Sequence, residues 1–522
     1  MRRGDSGLSL IRAPAGSDRP VTAEAYRYRH VWAGNVRELG RAGCGAEYSW
    51  GSKPRKYRFA AAVRTPHGPS RPSRKSDGTV ETTGRETKFL DARTGPGEPS
   101  AIFDRRRSNH PLLPPPTFVL PTRHDPARHN PECPLRVLAM ASSMSGGGSE
   151  RQTALLLRHL DRRAFEPHLY LIRREGELLA DIPGDVRIHA DDDEVHAVRF
   201  RDRFPGGAHG ARVERLTDLI REQSIDVVYD RTFHMTQLAG PAAAAVGVPR
   251  VATIVSPPHV NVPHLERRYR WIKRRMLRTA YRRAAGVVAV SDAAADSAAA
   301  YYGIDRPRVV PNPVDAERIR RLAGVDDASV GPEAIDRRRS EPFVFVIVGR
   351  LSPEKGTLDL LNALANHPPD VPCHFRFIGD GCDRDAAEAI AADISNARPQ
   401  LSFTFDGSSD NPYPAIRRAD ALILPSRFEG LPNAAMEAMT LGTPVVATRV
   451  GGTPTLERDA PTIFWAEPED PGSLATAIRQ VISGPDIAQD RAANAVRLIA
   501  EHHDLERTIR KIEGILLEAA GR

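Results

Sequence analysis

Two short stretches carry side chains whose types and spacing could do chemistry. In "PSRFEGLPNAAMEAM" (425–439), Glu429 and Glu437 stand on either side of the turn Gly430-Leu431-Pro432. In "VGRLSPEKG" (348–356), Arg350 and Lys355 flank a turn that opens on Gly349 and closes on Gly356. Two cations beside a helix start suit a diphosphate, because neutralising its charge makes it a better leaving group. Two carboxylates accept hydrogen bonds from neutral hydroxyls, such as those of a ribose and a sugar. Pro432 suits the first turn of a helix, where its missing N–H would go unpaired in any case. The N–H groups and positive dipole end of that helix would favour a phosphate. Together these groups offer what a nucleotide sugar requires; the plainer alternative is a solvated helix with a pair of surface cations.

A third stretch, "SGGGSE" (145–150), puts Gly147 and Gly148 where a backbone could approach a ligand closely. It is not a dinucleotide fingerprint, because Arg151 stands where the third glycine of G-x-G-x-x-G would fall. "ADDDEVH" (190–196) contains a D-x-D that could suggest a metal, but it lies outside the donor-site stretches and reads as a solvated acidic loop. Cys44, Cys133, Cys373 and Cys382 form no C-x-x-C pair and have no histidine cluster at zinc spacing. These residues offer no ligand set at zinc spacing, and no cofactor motif is read among them.

The elements that must position these residues alternate. "LRVLAMAS" (135–142) is a largely apolar run, the kind buried on both faces of a parallel sheet. The glycine loop follows, and then an amphipathic helix with Leu155, Leu156 and Leu160 on one side. Further strands are predicted at 165–172, 226–230, 250–255 and 286–291. After a polar linker (323–342), "FVFVIVG" starts a second alternating series that runs to "PVVATRVGG" (444–452). The predicted fold class is α/β, with two Rossmann-like doubly wound domains at 134–322 and 343–484 facing a cleft, and a helical segment at 485–522. Ligands in open α/β sheets bind outside the carboxyl ends of the strands, which is where these stretches fall.

Residues 1–133 show no sustained period of 2 or 3.6. They hold 24 Lys/Arg against 13 Asp/Glu, a surplus of 11 against a whole-chain net charge of +8. The high pI therefore belongs to this stretch, which reads as a disordered or mis-assigned extension. The N-terminus lacks the apolar run of a secretory signal, and no stretch reaches the ~20 apolar residues of a spanning helix. A cytoplasmic protein is expected, with contact at the inner face of the membrane as an option.

The order and spacing of "GGGSER", "VSDAAADSAAAYYGIDRPRVVPNPVD" (290–315), "VGRLSPEKG", "IGDG", "PSRFEGLPNAAMEAMTLGTPVVAT" and "VGG" resemble the retaining glycosyltransferases of family GT4, which have the GT-B fold. The resemblance covers roughly residues 135–520. It implies that Arg350 and Lys355 bind the donor diphosphate, that Glu429 contacts the donor sugar, and that Glu437 holds the ribose. It places Gly430 and Leu431 in the donor site and Gly147 and Gly148 near the phosphates. His234, in "DRTFHMTQLAG", resembles the family's active-site histidine, and Asn312 in "PNPVD" falls near the domain junction. The family's "GGxxE" is met here by Gly451 and Gly452 with Thr455 in place of the glutamate. The implied reaction moves a sugar from a UDP- or GDP-sugar to a glycan, lipid-linked or small-molecule acceptor, without a metal, in cell-envelope or exopolysaccharide synthesis.

Two other readings stay open. A nucleotide-sugar epimerase or a phosphorylase would share the fold, though no clear motif for either is present. A basic nucleic-acid-binding protein would place its affinity in residues 1–133, with a steep salt dependence, and would leave the glycine loops and paired glutamates unexplained; no nucleic-acid partner is expected. Finally, "ERRYRWIKRRMLRTAYRRAAG" (266–286) carries nine Lys/Arg and one Glu. Trp271, Ile272, Met276, Leu277 and Ala280 fall close to one helical face, so 266–283 could lie on anionic lipid.

Overall fold

The computed structural model describes residues 133–193, 206–260, 270–325 and 342–522. The extension up to residue 132, the linker from 326 to 341 and the start of the basic segment lie outside them.

Two parallel sheets form, as the alternating pattern predicts. The first has the order β3-β2-β1-β4-β5-β6-β7. Its strands are β1 (Leu135–Ala141), β2 (Phe165–Leu171), β3 (Arg187–Ala190), β4 (Val227–Arg231), β5 (Arg250–Ile254), β6 (Gly286–Ala289) and β7 (Arg308–Val309). The helices of this half are α1 (Gly148–His159), α2 (Gly207–Glu222), α3 (Phe233–Val246), α4 (Arg270–Arg282), α5 (Asp292–Tyr302) and α6 (Ala316–Leu322).

The second sheet has the order β10-β9-β8-β11-β12-β13. Its strands are β8 (Phe343–Val348), β9 (Cys373–Ile378), β10 (Leu401–Phe405), β11 (Ala421–Leu424), β12 (Val445–Thr448) and β13 (Ile463–Ala466). Its helices are α7 (Thr357–Asn366), α8 (Arg384–Ala397), α9 (Tyr413–Arg418), α10 (Asn433–Thr440) and α11 (Pro471–Ser483), followed by α12 (Pro485–His502) and α13 (Leu505–Ala520). The pattern did not single out β3, β7 or β13. Each lies at a sheet edge and has four residues or fewer.

The central strands explain the two-sided cores. Along β1, Leu135, Val137, Ala139 and Ala141 enter one cluster while Leu138 and Met140 enter another. Along β8, Phe345 and Ile347 face one layer and Val346 the other. Successive side chains of a strand point to opposite faces, so an unbroken apolar run requires cover on both. Phe345, Phe375 and Phe403 stack across three strands at 5.1 and 5.4 Å between ring centroids.

The last helix belongs to the first core. Ile509, Ile512 and Leu516 of α13 pack among Val137, Val227 and Val251. The chain is pinned as it crosses: Val314 N–H donates to the His503 carbonyl at 2.9 Å, and His503 Nδ1 lies 3.0 Å from the Asn312 carbonyl. Leu516→Ala should lower the free energy of urea unfolding by about 2–5 kcal/mol, the range for emptying a fully buried leucine site. Ile487→Ala, at an exposed position, should change it by no more than about 0.5 kcal/mol.

Candidate functional site

The carboxyl end of the second sheet is built on close backbone approaches. Gly349 and Gly379 have φ of 149° and 144°, and a Cβ on Gly379 would overlap the Gly349 carbonyl. Beyond them, Pro353–Lys355 forms a single 3-10 turn closed by Gly356 at φ 69°. A Cβ on Gly356 would overlap the Pro425 carbonyl. The Lys355 turn is therefore pressed against the loop that leaves β11, which brings two sequence-predicted residues into contact. Lys355 Nζ lies 2.6 Å from Glu429 Oε1, and Ser426 Oγ donates to the same oxygen at 2.7 Å. Glu429 is only 7% exposed. Arg350 is on the surface, with its side chain 72% exposed and paired to Glu354 at 3.1 Å.

Pro432 caps α10 rather than entering it, and Asn433 is its first residue. Glu437, one turn on, is buried, and that burial lifts its carboxyl above the ordinary range; the charge of Arg151 pulls it back down. Arg151 comes from α1 of the other domain, with Nη1 3.7 Å from Glu437 Oε1. It also donates to the Tyr413 hydroxyl at 3.4 Å and, through Nε, to the Gly146 carbonyl at 3.3 Å.

The glycine loop meets the same helix start. Asn433 Nδ2 donates to the Gly148 carbonyl at 3.1 Å, and Asn312 Nδ2 donates to Asn433 Oδ1 at 3.2 Å. Gly147 caps α1. At Gly430 the domains touch: Ser291 Oγ donates to its carbonyl at 3.0 Å, and a Cβ there would overlap the Val255 carbonyl. A Cβ on Gly452 would overlap the Gly430 carbonyl and crowd the Ser291 side chain. The side chain of Leu431 lies in the core beneath, so only its backbone is left to meet a ligand.

His234 is the second residue of α3, at the carboxyl end of β4. The preceding Thr232 has φ 72°, unusual for a β-branched residue and a mark of a turn held by its surroundings. The His234 ring lies 3.9 Å from that of Phe233. β4 and β5 are paired, so His234 and Val255 share one sheet end.

The structure corrects two of the readings made from sequence. The acidic loop at 190–193 is not simply solvated. Asp191 is held by Arg212 and Arg215 at 2.6 and 2.8 Å, and Asp193 by Arg174 at 2.6 Å. On α4 the apolar residues do not form one face. Leu277, Ala280 and Tyr281 pack inward, while Trp271, Ile272 and Met276 stay exposed. Sequence reasoning also missed Arg151, Tyr413, Asn433 and Ser291. Arg151 did leave a signal: a cation in the first turn of a helix stands at the unfavourable end of the dipole, which asks for a partner elsewhere.

With this geometry in view, comparison with known proteins is direct. Residues 146–318 match the family profile described as Glycosyltransferase Family 4. Residues 333–498 match the one described as Glycosyl transferases group 1. The chain belongs to the family 4 glycosyltransferases. Among curated proteins, it is 33% identical over 266 residues to 2-deoxystreptamine glucosyltransferase of Streptomyces kanamyceticus, covering 48% of this chain and 65% of that one. It is 32% identical over 184 residues to glycogen synthase of Mycobacterium tuberculosis, covering 34% and 43%. The matched region thus spans less than two thirds of these relatives. Among solved structures, Anabaena HepE in complex with UDP shares the fold at a TM-score of 0.56 and 20% identity, over 73% of this chain and 99% of that one. Sucrose-phosphate synthase from Thermosynechococcus elongatus does so at 0.58 and 17%, over 73% and 98%.

The Lys355–Glu429 pair can be tested as a unit. Lys355→Met and Glu429→Gln should each cost about 1–3 kcal/mol in urea unfolding. The double variant should cost less than the sum by about 0.5–3 kcal/mol.

Proposed function

We propose that this chain is a retaining glycosyltransferase that takes a sugar from a UDP- or GDP-sugar and passes it to a glycan, lipid-linked or small-molecule acceptor. The observation that carries this reading is the pairing of Lys355 with the buried Glu429 at the mouth of the second sheet, with Arg350 exposed earlier in the same loop. A diphosphate entering there meets two cations and the N-terminus of α10. Sugar hydroxyls meet Glu429, and ribose hydroxyls meet Glu437 on the following turn. The curated relative named a glucosyltransferase and the structural neighbour crystallised with UDP support the same class of donor.

In this mechanism the bond from the anomeric carbon to the diphosphate oxygen breaks as the acceptor oxygen attacks from the same face. The departing diphosphate oxygen takes the acceptor's proton, so no enzyme nucleophile is needed. Arg350 and Lys355 neutralise the charge that develops on the leaving group, so the step needs neither a metal nor a cofactor. His234, from the first domain, faces the transferred sugar, and Gly147 and Gly148 let the backbone come close to the phosphates.

Calorimetric titration of UDP and of GDP, in the presence of a chelator, tests the donor assignment. Saturable binding by one nucleotide is expected, followed by transfer from its sugar conjugates with retained anomeric configuration. Glu429→Ala should lower kcat/KM by about 100-fold or more. Binding by neither nucleotide to folded protein, or an inverted product, would contradict the proposal.

A lipid-linked acceptor, as in cell-envelope or exopolysaccharide synthesis, would bring the enzyme to the cytoplasmic face of a membrane. No helix among the described residues is long and apolar enough to cross one. α4 supplies a surface of the right chemistry instead: Trp271 is 72% exposed beside Ile272 and Met276, among Arg270, Arg274, Arg275 and Arg278. Sedimentation with vesicles containing phosphatidylglycerol should carry the protein down in a salt-sensitive way. Pure phosphatidylcholine vesicles should not, and Trp271→Glu should abolish the effect. Equal partition to both lipids, or to neither, would overturn the membrane contact.

A further inference from the structure

Glu437 depends on the opposite domain. Its carboxylate is buried on α10, and the cation that faces it is Arg151 of α1, at 3.7 Å. The same guanidinium reaches the Tyr413 hydroxyl on α9 and the Gly146 carbonyl of the glycine loop. One side chain thus ties the phosphate loop of the first domain to the carboxylate of the second.

The other cations around Glu437 are already engaged. It shares a cavity with Gln152 and Arg158 of α1, Arg318 of α6, Asp410 and Tyr413 at the head of α9, and Asn433 of its own helix. Arg318 is held by Asp181 at 2.7 Å, and Arg158 by Asp181 and Asp315 at 3.4 and 4.0 Å. In the same cavity the buried Gln152 Oε1 has no hydrogen-bond partner among the described residues. A carboxylate and an unpaired amide oxygen are both acceptors, the complement of neutral hydroxyls. Arg151 engages Oε1 of Glu437, and a carboxylate has further lone pairs to offer a ligand.

We infer that Arg151 is a positioning residue for the nucleoside end of the donor. From the first domain it keeps the buried Glu437 ionised and fixed, and so makes ribose binding depend on the two domains standing together. The inference rests on the donor-site reading above and extends it to a residue outside the second domain. The sign of the pH effect follows from the surroundings of Glu437. Burial raises its pKa, and Arg151 is the opposing influence. Removing the cation raises the pKa further, so an ionised carboxylate is lost at a higher pH as the solution is acidified.

The test is calorimetric affinity for UDP and for GDP between pH 5 and 8, on the parent, Arg151→Gln, Arg151→Lys and Tyr413→Phe. Arg151→Gln should weaken binding roughly tenfold at pH 7 and shift the acid fall-off to higher pH. Arg151→Lys should restore most of both. Tyr413→Phe, which removes a single hydroxyl, should show a smaller loss in the same direction, and it carries the test if the glutamine variant does not fold. A glutamine variant with lowered thermal stability but unchanged affinity and pH profile would make Arg151 a strut between domains and overturn the inference. A parent that binds neither nucleotide would overturn the donor-site reading first, and this inference with it.

Discussion

The site depends on how closely two backbones approach at Gly430. The Val255 carbonyl of the first domain lies where a side chain on residue 430 would be, and Ser291 holds the Gly430 carbonyl from the same side. This contact sets the separation of the two sheet ends. With it in place, α1 reaches α10 through Gly148 and Asn433, and Arg151 reaches Glu437. A larger residue at 430 would force the carbonyls apart, and each of these shorter-range contacts would have to lengthen. α13 returns to the first core, and His503 holds the crossing through Val314 and Asn312.

Electrostatics then divides the site in two. At the mouth, Lys355 and Glu429 satisfy one another with Ser426 as a third partner, and Arg350 stands free of the core. Deeper in, Glu437 is compensated across the domain boundary. Nearby, the half-buried Glu150 of α1 is raised by burial and lowered first by its own backbone N–H, then by Arg350 and Arg231. On the proposed donor-site reading, the phosphate end rests mainly on the second domain and the nucleoside end on both.

Much of this was legible in the sequence. Unbroken apolar runs such as "FVFVIVG" announced strands covered on both faces, and the glycines at strand ends announced close approaches. Glu429, Lys355 and Arg350 were singled out from charge type beside turn residues, and the fold brings the first two into contact. Other features left little local trace. The short strands at the sheet edges were not singled out. The partner of Glu437 lies 286 residues away in the chain, since 437 − 151 spans that distance. Asn433 looks like an ordinary first helical residue, and its role comes only from what the fold sets opposite it. On α4 the sequence showed one apolar stripe, but only Leu277, Ala280 and Tyr281 pack inward, and Trp271 stays in solvent.

The most direct measurement is amide hydrogen exchange, in a chelator, with and without a saturating nucleotide. Slowed exchange is expected in both domains at once: over 146–152 in the first, and over 349–356 and 429–437 in the second. Saturable binding with protection confined to one domain would contradict a donor site built by both.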